Sequence, residues 1–497
     1  MNAHTPALII AVPLLSALVI VMAGWLNKKY CFPLAAAALG ASLIASVAML
    51  LRVMETGPFT YHLAGWAPPW GIEYSIDHLS ALVLVVVAAV ACINLIATVK
   101  IVRIDYPEKT GSFYGLYCLF ITGLLGVVIT GDAFNLFVLL EITALTGYAL
   151  IGIGEQHAPL ASLNYIFMGT IGASFYLMGV GYLYLATGTL NMADLALHLS
   201  TLSGSTVVLA AFLICLTGLY MKMALFPLHA WLPNAYACAP SAAVGIIAPL
   251  TTKVMVYVLI RMTLFVFTPA FTFSHLPLRQ AMIWLASLAI VMGSILALSH
   301  KSLKKILVYI IVAEVGYMVG GLWIGNRISI SGAILHIVND AAMTLCVFLA
   351  AVSLGFKLKG DSFTALRGSF RKMPYTMAAL VAGGLSIIGV PPTCGFFSKW
   401  YLISGALAAG TYQFVVALLL SSLINVVLFF RIFEIGHFEP FPGKDSHHGQ
   451  KAITVNESPL SMVAMLLLVS VGLIALGLFS SDLMARIILP SIPASVL

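Results

Sequence analysis

Apolar runs of about 20 residues, the length that crosses a bilayer as an α-helix, follow one another almost from end to end of this 497-residue chain. Only 8% of its residues are charged, against about 25% in soluble domains. In hydrocarbon a peptide group finds no water, so a spanning segment must satisfy its own backbone. The runs therefore predict an all-α polytopic membrane protein with about fourteen transmembrane helices. They start near Ala7, Phe32, Asp77, Phe113, Ala133, Ser162, Thr206, Ala239, Arg279, Lys305, Ser331, Tyr375, Tyr412 and Pro459.

The basic residues orient that bundle. With fourteen crossings and the N-terminus outside, the odd-numbered loops and their flanks hold sixteen of the 24 Lys and Arg; the other side holds five. Basic residues favour the cytoplasmic side, so both termini are expected on the outer face of a cell membrane. The net charge of +7 then follows from topology and gives no reason to expect a nucleic-acid partner. No basic residue precedes the first run and Lys28-Lys29 follow it, which reads as a retained helix rather than a cleaved signal peptide. Seven scattered cysteines without a CxxC pair argue against an iron–sulfur cluster or zinc site. No glycine-rich phosphate loop sits in a strand–helix context, and no cofactor is expected.

Loops are mostly short. Two longer polar connections, Lys357–Pro374 and His437–Ser458, fall on the predicted cytoplasmic side. The second carries His437, His447 and His448 and reads as a solvated loop rather than a metal site. No long helix is expected beyond the last run, which ends at Leu497.

Two runs are interrupted. Near Lys222 the chain meets Pro227 and Pro233, with His229 and Trp231 between them; near Lys399 it meets Gly389, Pro391, Pro392 and Gly395. Proline removes a helix donor and clashes with the preceding turn. Paired interruptions in two halves are the best sequence pointer to a transporter's ion site. The expected organisation is an N-terminal set of helices 1–3 over residues 1–112, a first five-helix repeat over 113–267 (helices 4–8), a second over 279–433 (helices 9–13), and helix 14 over 459–497. The halves are not visibly alike in sequence, so this division rests on where the breaks fall.

Charges inside the apolar runs are the candidates for chemistry, because a charged side chain at the bilayer centre costs about 2.5–3.5 kcal/mol on insertion scales. Glu141, Lys222, Lys253 and Lys399 stand out. Burial disfavours the charged form of either sign and an opposite charge restores it, so groups of this kind can load and release protons as their partners move. Glu141 could instead bond Thr143 or Thr146, and Lys222 could snorkel from a helix end. Glu314, His336 and Asp340 add titratable groups in the second half. His336 and Asp340, four residues apart, share a helical face, although His336 could simply satisfy an interhelical hydrogen bond. Asp132 is read as a helix N-cap and, with His229, as a possible participant. Lys304 and Lys305 belong to the cytoplasmic interface.

Five segments carry a family resemblance: GDAFNLFVLLEITALTGYALIG, KMALFPLHAWLPNAYACAPSAAVGIIAPLTTKVMVY, LKKILVYIIVAEVGYMVGGL, AILHIVND and GLSIIGVPPTCGFFSKWYLI. Together they resemble the antiporter-like membrane subunits shared by respiratory complex I, energy-converting hydrogenases and Mrp-type cation/proton antiporters. GTLNMADLA, WAPPWGIEYSIDHLSAL and KMPYTMAALVAGGLSIIGVPPT look most like the D-type subunits of the Mrp branch. The resemblance implies fourteen helices, two inverted five-helix repeats, and broken seventh and twelfth helices at Pro227 and at Pro391-Pro392. It aligns Glu141 and Lys222 with the first half-channel's ion pair, Lys253 with the connecting lysine, His336 with the central histidine and Lys399 with the terminal lysine. Three departures matter: Asn164 stands where many members have lysine, Asp340 and Thr344 replace a histidine and a lysine, and Glu314 replaces a frequent glutamine. They leave the relay from the centre into the second half weaker than the first half. Glu314 or Asp340 is expected to supply a charge partner in compensation.

The resemblance thus implies a transporter subunit rather than an enzyme: a proton-translocating chain of a multisubunit Na+/H+ antiporter, with other membrane subunits as partners. Protons would be taken up near Lys222, and charge changes would pass through Lys253 and the His336/Glu314 region to Lys399. A proton-pumping subunit of a hydrogenase or complex I-like assembly is the alternative within the family. A structural scaffold and a stand-alone small-solute carrier are the alternatives of other classes.

Overall fold

The computed structural model describes residues 4–274, 276–439 and 456–496. The helices α1 (Thr5–Leu26) and α2 (Cys31–Thr56) lead into an antiparallel pair of strands, β1 (Phe59–His62) and β2 (Glu73–Ile76). Then come α3 (His78–Asp105), α4 (Thr110–Ile129), α5 (Ala133–Gly152), α6 (Ala158–Thr187), α7 (Met192–Thr201), α8 (Thr206–Lys222), α9 (Trp231–Cys238) and α10 (Ser241–Arg261). The last of these continues as a π-helical turn, Met262–Val266. The second half comprises α11 (Thr268–Ser274), α12 (Leu276–Leu298), α13 (Leu303–Ile324), α14 (Arg327–Leu358), α15 (Ser369–Lys372), α16 (Pro374–Ile388), α17 (Cys394–Ala408), α18 (Tyr412–Phe438) and α19 (Leu460–Leu478).

Among the described residues, twelve helices are long and apolar enough to cross a membrane. The broken pairs α8/α9 and α16/α17 add two crossings, which brings the bundle to the fourteen that hydropathy predicts. All the predicted starts fall within four residues of a helix start. Hydropathy alone does not find the β1–β2 hairpin or α7. The hairpin is pinned by a bridge from Tyr74 to Thr130, and α7 is capped by the Asn191 side chain, which accepts from the Ala193 and Asp194 amides at 2.9 and 3.1 Å. Of the connection after α18, Lys444, His447, His448 and Lys451 lie outside the described residues. The chain is described again by Glu457, whose carboxylate accepts from the Tyr375 amide and Thr376 hydroxyl at 2.7 and 2.9 Å and so caps α16.

The order of elements repeats. Three long helices, a broken helix and a long helix make up α4–α10, and the same series recurs in α12–α18. In both, the first helix packs on the second and the second on the third. Five crossings are an odd number, so the second series begins on the opposite face from the first and runs inverted. The helices α10 and α13 are apolar almost all round and enclosed by neighbours, the pattern of a core helix. The outermost helices, such as α1 and α2, bury far less of themselves.

Close approach of α6 and α8 depends on two glycines. A Cβ on Gly218 would sit 2.5 Å from the Gly172 carbonyl oxygen, and one on Gly172 would sit 3.3 Å from Cγ of Lys222. Overpacking of this kind costs about 1–3 kcal/mol. Gly218→Ala is therefore expected to lower the thermal midpoint of the detergent-solubilised protein. Gly181→Ala on the same α6, where a Cβ meets nothing within 4 Å, should not. Equal midpoints for the two variants would remove the packing argument.

Candidate functional site: a polar axis through the bundle

Helix α8 ends at Lys222, and its ammonium lies 2.9 Å from the Glu141 carboxylate on α5. A lysine at a helix C-terminus also meets the negative end of the helix dipole. The pair is enclosed unevenly: the Lys222 side chain is 8% exposed and that of Glu141 24%. The hydroxyls of Thr143 and Thr146 donate to backbone carbonyls of their own helix, so they do not occupy Glu141. Beyond Lys222 the chain breaks, with Ala224 in the left-handed region (φ 58°). The carbonyl of Met221 accepts instead from the Trp231 indole at 3.0 Å. Pro227 lies exposed in the break. His229 sits half-buried there against the rings of Phe226 and Tyr309. Asp132 caps α5, accepting from the Asn135 amide at 2.6 Å.

A second pair lies on α10 and α14. The Lys253 ammonium is 2.9 Å from Asp340, with both side chains at most 2% exposed. It also donates to the Thr344 hydroxyl at 3.2 Å, and Thr344 donates to Asp340 at 2.8 Å. Asp340 and Thr344, two of the side chains that depart from the family pattern, are thus the ones that hold Lys253. One turn earlier on α14, His336 Nε2 is 2.5 Å from Glu314 on α13, and Nδ1 is 2.8 Å from the Ser398 hydroxyl on α17. Ser398 also lies 3.3 Å from the Gly395 carbonyl. A neutral His336 can donate to Glu314 and accept from Ser398. A protonated one donates to both, with Ser398 turning to donate to Gly395. Rotating one hydroxyl therefore accommodates either protonation state.

Lys399 follows Ser398. Its ammonium donates to the Ile387 carbonyl at 2.6 Å and to Ser422 at 3.3 Å, and stands 4.9 Å over the Tyr317 ring. The break makes this possible. Ile387 is near the end of α16, where carbonyls lose their helical partners. Gly389, at φ 94°, turns the chain, and a Cβ there would press on Lys399 Cδ at 3.3 Å. Pro391 and Pro392 are exposed beyond it.

From Lys253 to Lys399 the polar groups follow one another along α14 and α17, with His336 one turn from Asp340 and Ser398 next in sequence to Lys399. Among the described residues, no hydrogen bond or ion pair joins Lys222 directly to Lys253. The axis carries three carboxylates (Glu141, Glu314, Asp340) and three lysines (Lys222, Lys253, Lys399), so with His336 neutral its formal charge is zero. Among the described residues no group of three or more His, Cys, Asp and Glu could hold a metal ion.

One pair is not apparent from the sequence. Arg261, at the end of α10, grips Asp77, the N-cap of α3, through bonds of 2.5 and 3.0 Å. Both line a cavity of about 440 Å³ together with Glu73, Ser75, His78 and Thr130. The available signal is an arginine closing a largely apolar helix eight residues after Lys253, a position that by itself reads as a loop charge.

Fourteen crossings, two broken helices and paired charges inside the bundle define an antiporter-like polytopic membrane protein. Residues 130–425 match the family described as NADH:quinone oxidoreductase/Mrp antiporter, TM. The chain belongs to that family. It is 40% identical to NADH-quinone oxidoreductase subunit N of Desulforudis audaxviator, over 99% of both chains. It is 33% identical to the D-type Na(+)/H(+) antiporter subunit of Bacillus subtilis, over 85% of both. Among solved structures, it matches a chain of the Mrp complex from Dietzia sp. with a TM-score of 0.88 at 25% identity, covering 99% of this chain and 97% of that one. A chain of an archaeal membrane-bound sulfane sulfur reductase gives 0.88 at 29% identity, covering 98% and 96%. These neighbours are subunits of multisubunit membrane complexes.

Proposed function

We propose that this chain translocates protons through the polar axis, as the D-type subunit of a multisubunit monovalent cation/proton antiporter. The observation that carries the reading is the buried, charge-balanced series Glu141–Lys222, Lys253–Asp340, Glu314–His336 and Lys399, set at two broken helices. Two unit charges about 4 Å apart interact by about 4 kcal/mol at an effective dielectric of 20, enough to move a neighbour's proton affinity by about three pH units. A balanced buried array resists net charging. A proton added at one pair therefore drives a proton or cation off elsewhere, which is the physical basis of exchange. In this reading Glu141, Lys222, Lys253, Glu314, His336 and Lys399 carry the charge changes, and Asp340 positions Lys253. Asp132 acts as a cap, and His229 lines the break. The segments assigned are 1–112, 113–267, 279–433 and 459–497, with the limits at 113, 279 and 433 a few residues inside α4, α12 and α18. Both termini face outward in the cell membrane, in line with the distribution of basic residues.

A second reading is favoured by the 40% identity to an NADH-quinone oxidoreductase subunit. Here the same axis is driven by redox chemistry in partner subunits. Purifying the native complex and identifying its other chains separates the two. Membrane subunits without iron–sulfur proteins, together with sodium-driven proton movement in reconstituted vesicles, are expected. Copurified iron–sulfur subunits and no response to sodium would establish the second reading in place of the first.

A further inference from the structure

Three aromatic side chains form a ladder beside the first ion pair. Tyr148 on α5 meets Tyr165 on α6 edge-on (4.5 Å, 79°), and Tyr165 stacks on Trp231 of α9 (4.1 Å, 4°). All three are buried, with at most 6% exposure. At one end, the Trp231 indole holds the carbonyl of Met221, the residue before Lys222. At the other end, the Tyr148 hydroxyl is buried with no hydrogen-bond partner among the described residues. It rests where Gly169 has no side chain, and a Cβ there would collide with it. Tyr148 lies seven residues after Glu141, two turns along one helical face. Long helical side chains lean toward the N-terminus, so a swing of the Tyr148 ring along α5 would carry its hydroxyl from Gly169 toward Glu141. The ladder thus runs from the helix of Glu141 to the helix end that carries Lys222.

A buried hydroxyl without a partner is a standing cost to stability, and such a cost persists where another state uses the group. We infer that the Tyr148–Tyr165–Trp231 ladder is the latch of the Glu141–Lys222 pair. Trp231 holds the break closed while the pair is formed. When Lys222 withdraws, the Tyr148 hydroxyl donates to the Glu141 carboxylate and takes the place of the lost partner. Tyr148 and Trp231 are positioning residues, and their roles rest on the proton-translocating reading of the pair given above.

The test uses the whole complex in sealed vesicles, with proton movement followed by a pH-sensitive dye. The flux is driven by whatever drives the wild type, a sodium gradient or an electron donor. In Tyr148→Phe, the amount of assembled complex and its thermal midpoint should match or exceed the wild type, because only an unpaired hydroxyl is lost, while driven flux falls about fivefold. In Trp231→Phe, which keeps an aromatic ring for stacking, undriven proton leak should rise about fivefold. Either factor corresponds to one hydrogen bond of about 1 kcal/mol. Wild-type flux in Tyr148→Phe, or losses that merely track the amount of assembled complex, would overturn the latch. So would wild-type leak in Trp231→Phe. Lys222→Met is run alongside: normal transport there overturns the reading of the ion pair itself, whereas its loss together with wild-type behaviour of Tyr148→Phe and Trp231→Phe overturns the latch alone.

Discussion

Lys222→Met is expected to abolish driven proton movement while leaving the complex assembled. The two halves of its ion pair are not equivalent. Removing one member of a buried pair strands the other at a cost of about 3–5 kcal/mol, and how much of that cost is felt depends on how far the stranded charge can reach solvent. Glu141, with 24% of its side chain exposed, can draw on water or take up a proton. Lys222, at 8%, has less recourse. Glu141→Ala should therefore stop transport equally and also lower the yield of assembled protein more than Lys222→Met does. The measurement is proton flux in vesicles, normalised to complex content on a native gel. Normal flux in either variant would sink the assignment, and a greater loss of assembly in Lys222→Met than in Glu141→Ala would reverse the argument from exposure.

The second large effect concerns Lys253 and Asp340. With both side chains at most 2% exposed and in contact at 2.9 Å, Asp340→Ala leaves a lysine charge enclosed among α10 and α14 with only hydroxyl and carbonyl partners. The expected destabilisation is about 3–5 kcal/mol, read as a fall in thermal midpoint and in recovered complex. Replacing both members by apolar residues of similar volume, Lys253→Met with Asp340→Leu, removes the stranded charge. Such exchanges are often neutral or stabilising. The double variant should recover the midpoint yet remain without driven flux, because the axis has lost its central charge. A single variant as stable as the wild type, or a double variant that transports, would contradict this account.

Much of the fold was legible because membranes simplify the problem. Hydrocarbon forces backbone pairing within each segment, so the length and polarity of runs such as Ala133–Gly152 and Leu460–Leu478 were enough to place them. Breaks were legible for a similar reason, since Pro227 and Pro391-Pro392 cannot continue a helix. The hairpin Phe59–Ile76 was not: its strands are too short to stand out as a pattern, and Tyr74 is held by a bridge to Thr130 far along the chain.

For the site, the sequence by itself determined which charges are buried, because each sits within a run that has to be apolar to cross the bilayer. It did not determine their partners. Against the family resemblance, Asp340 and Thr344 looked like losses from the usual relay, and by spacing His336 and Asp340 looked like neighbours on one face. Only the packing of α10 against α14 turned Asp340 to Lys253, and only the packing of α13 and α17 gave His336 both Glu314 and Ser398. Likewise Arg261 read as a loop charge until α3 brought Asp77 to it. The division has a physical cause. Burial in a membrane is a property of a segment and can be read one segment at a time, whereas pairing between side chains 81, 87 or 184 residues apart depends on how the helices pack.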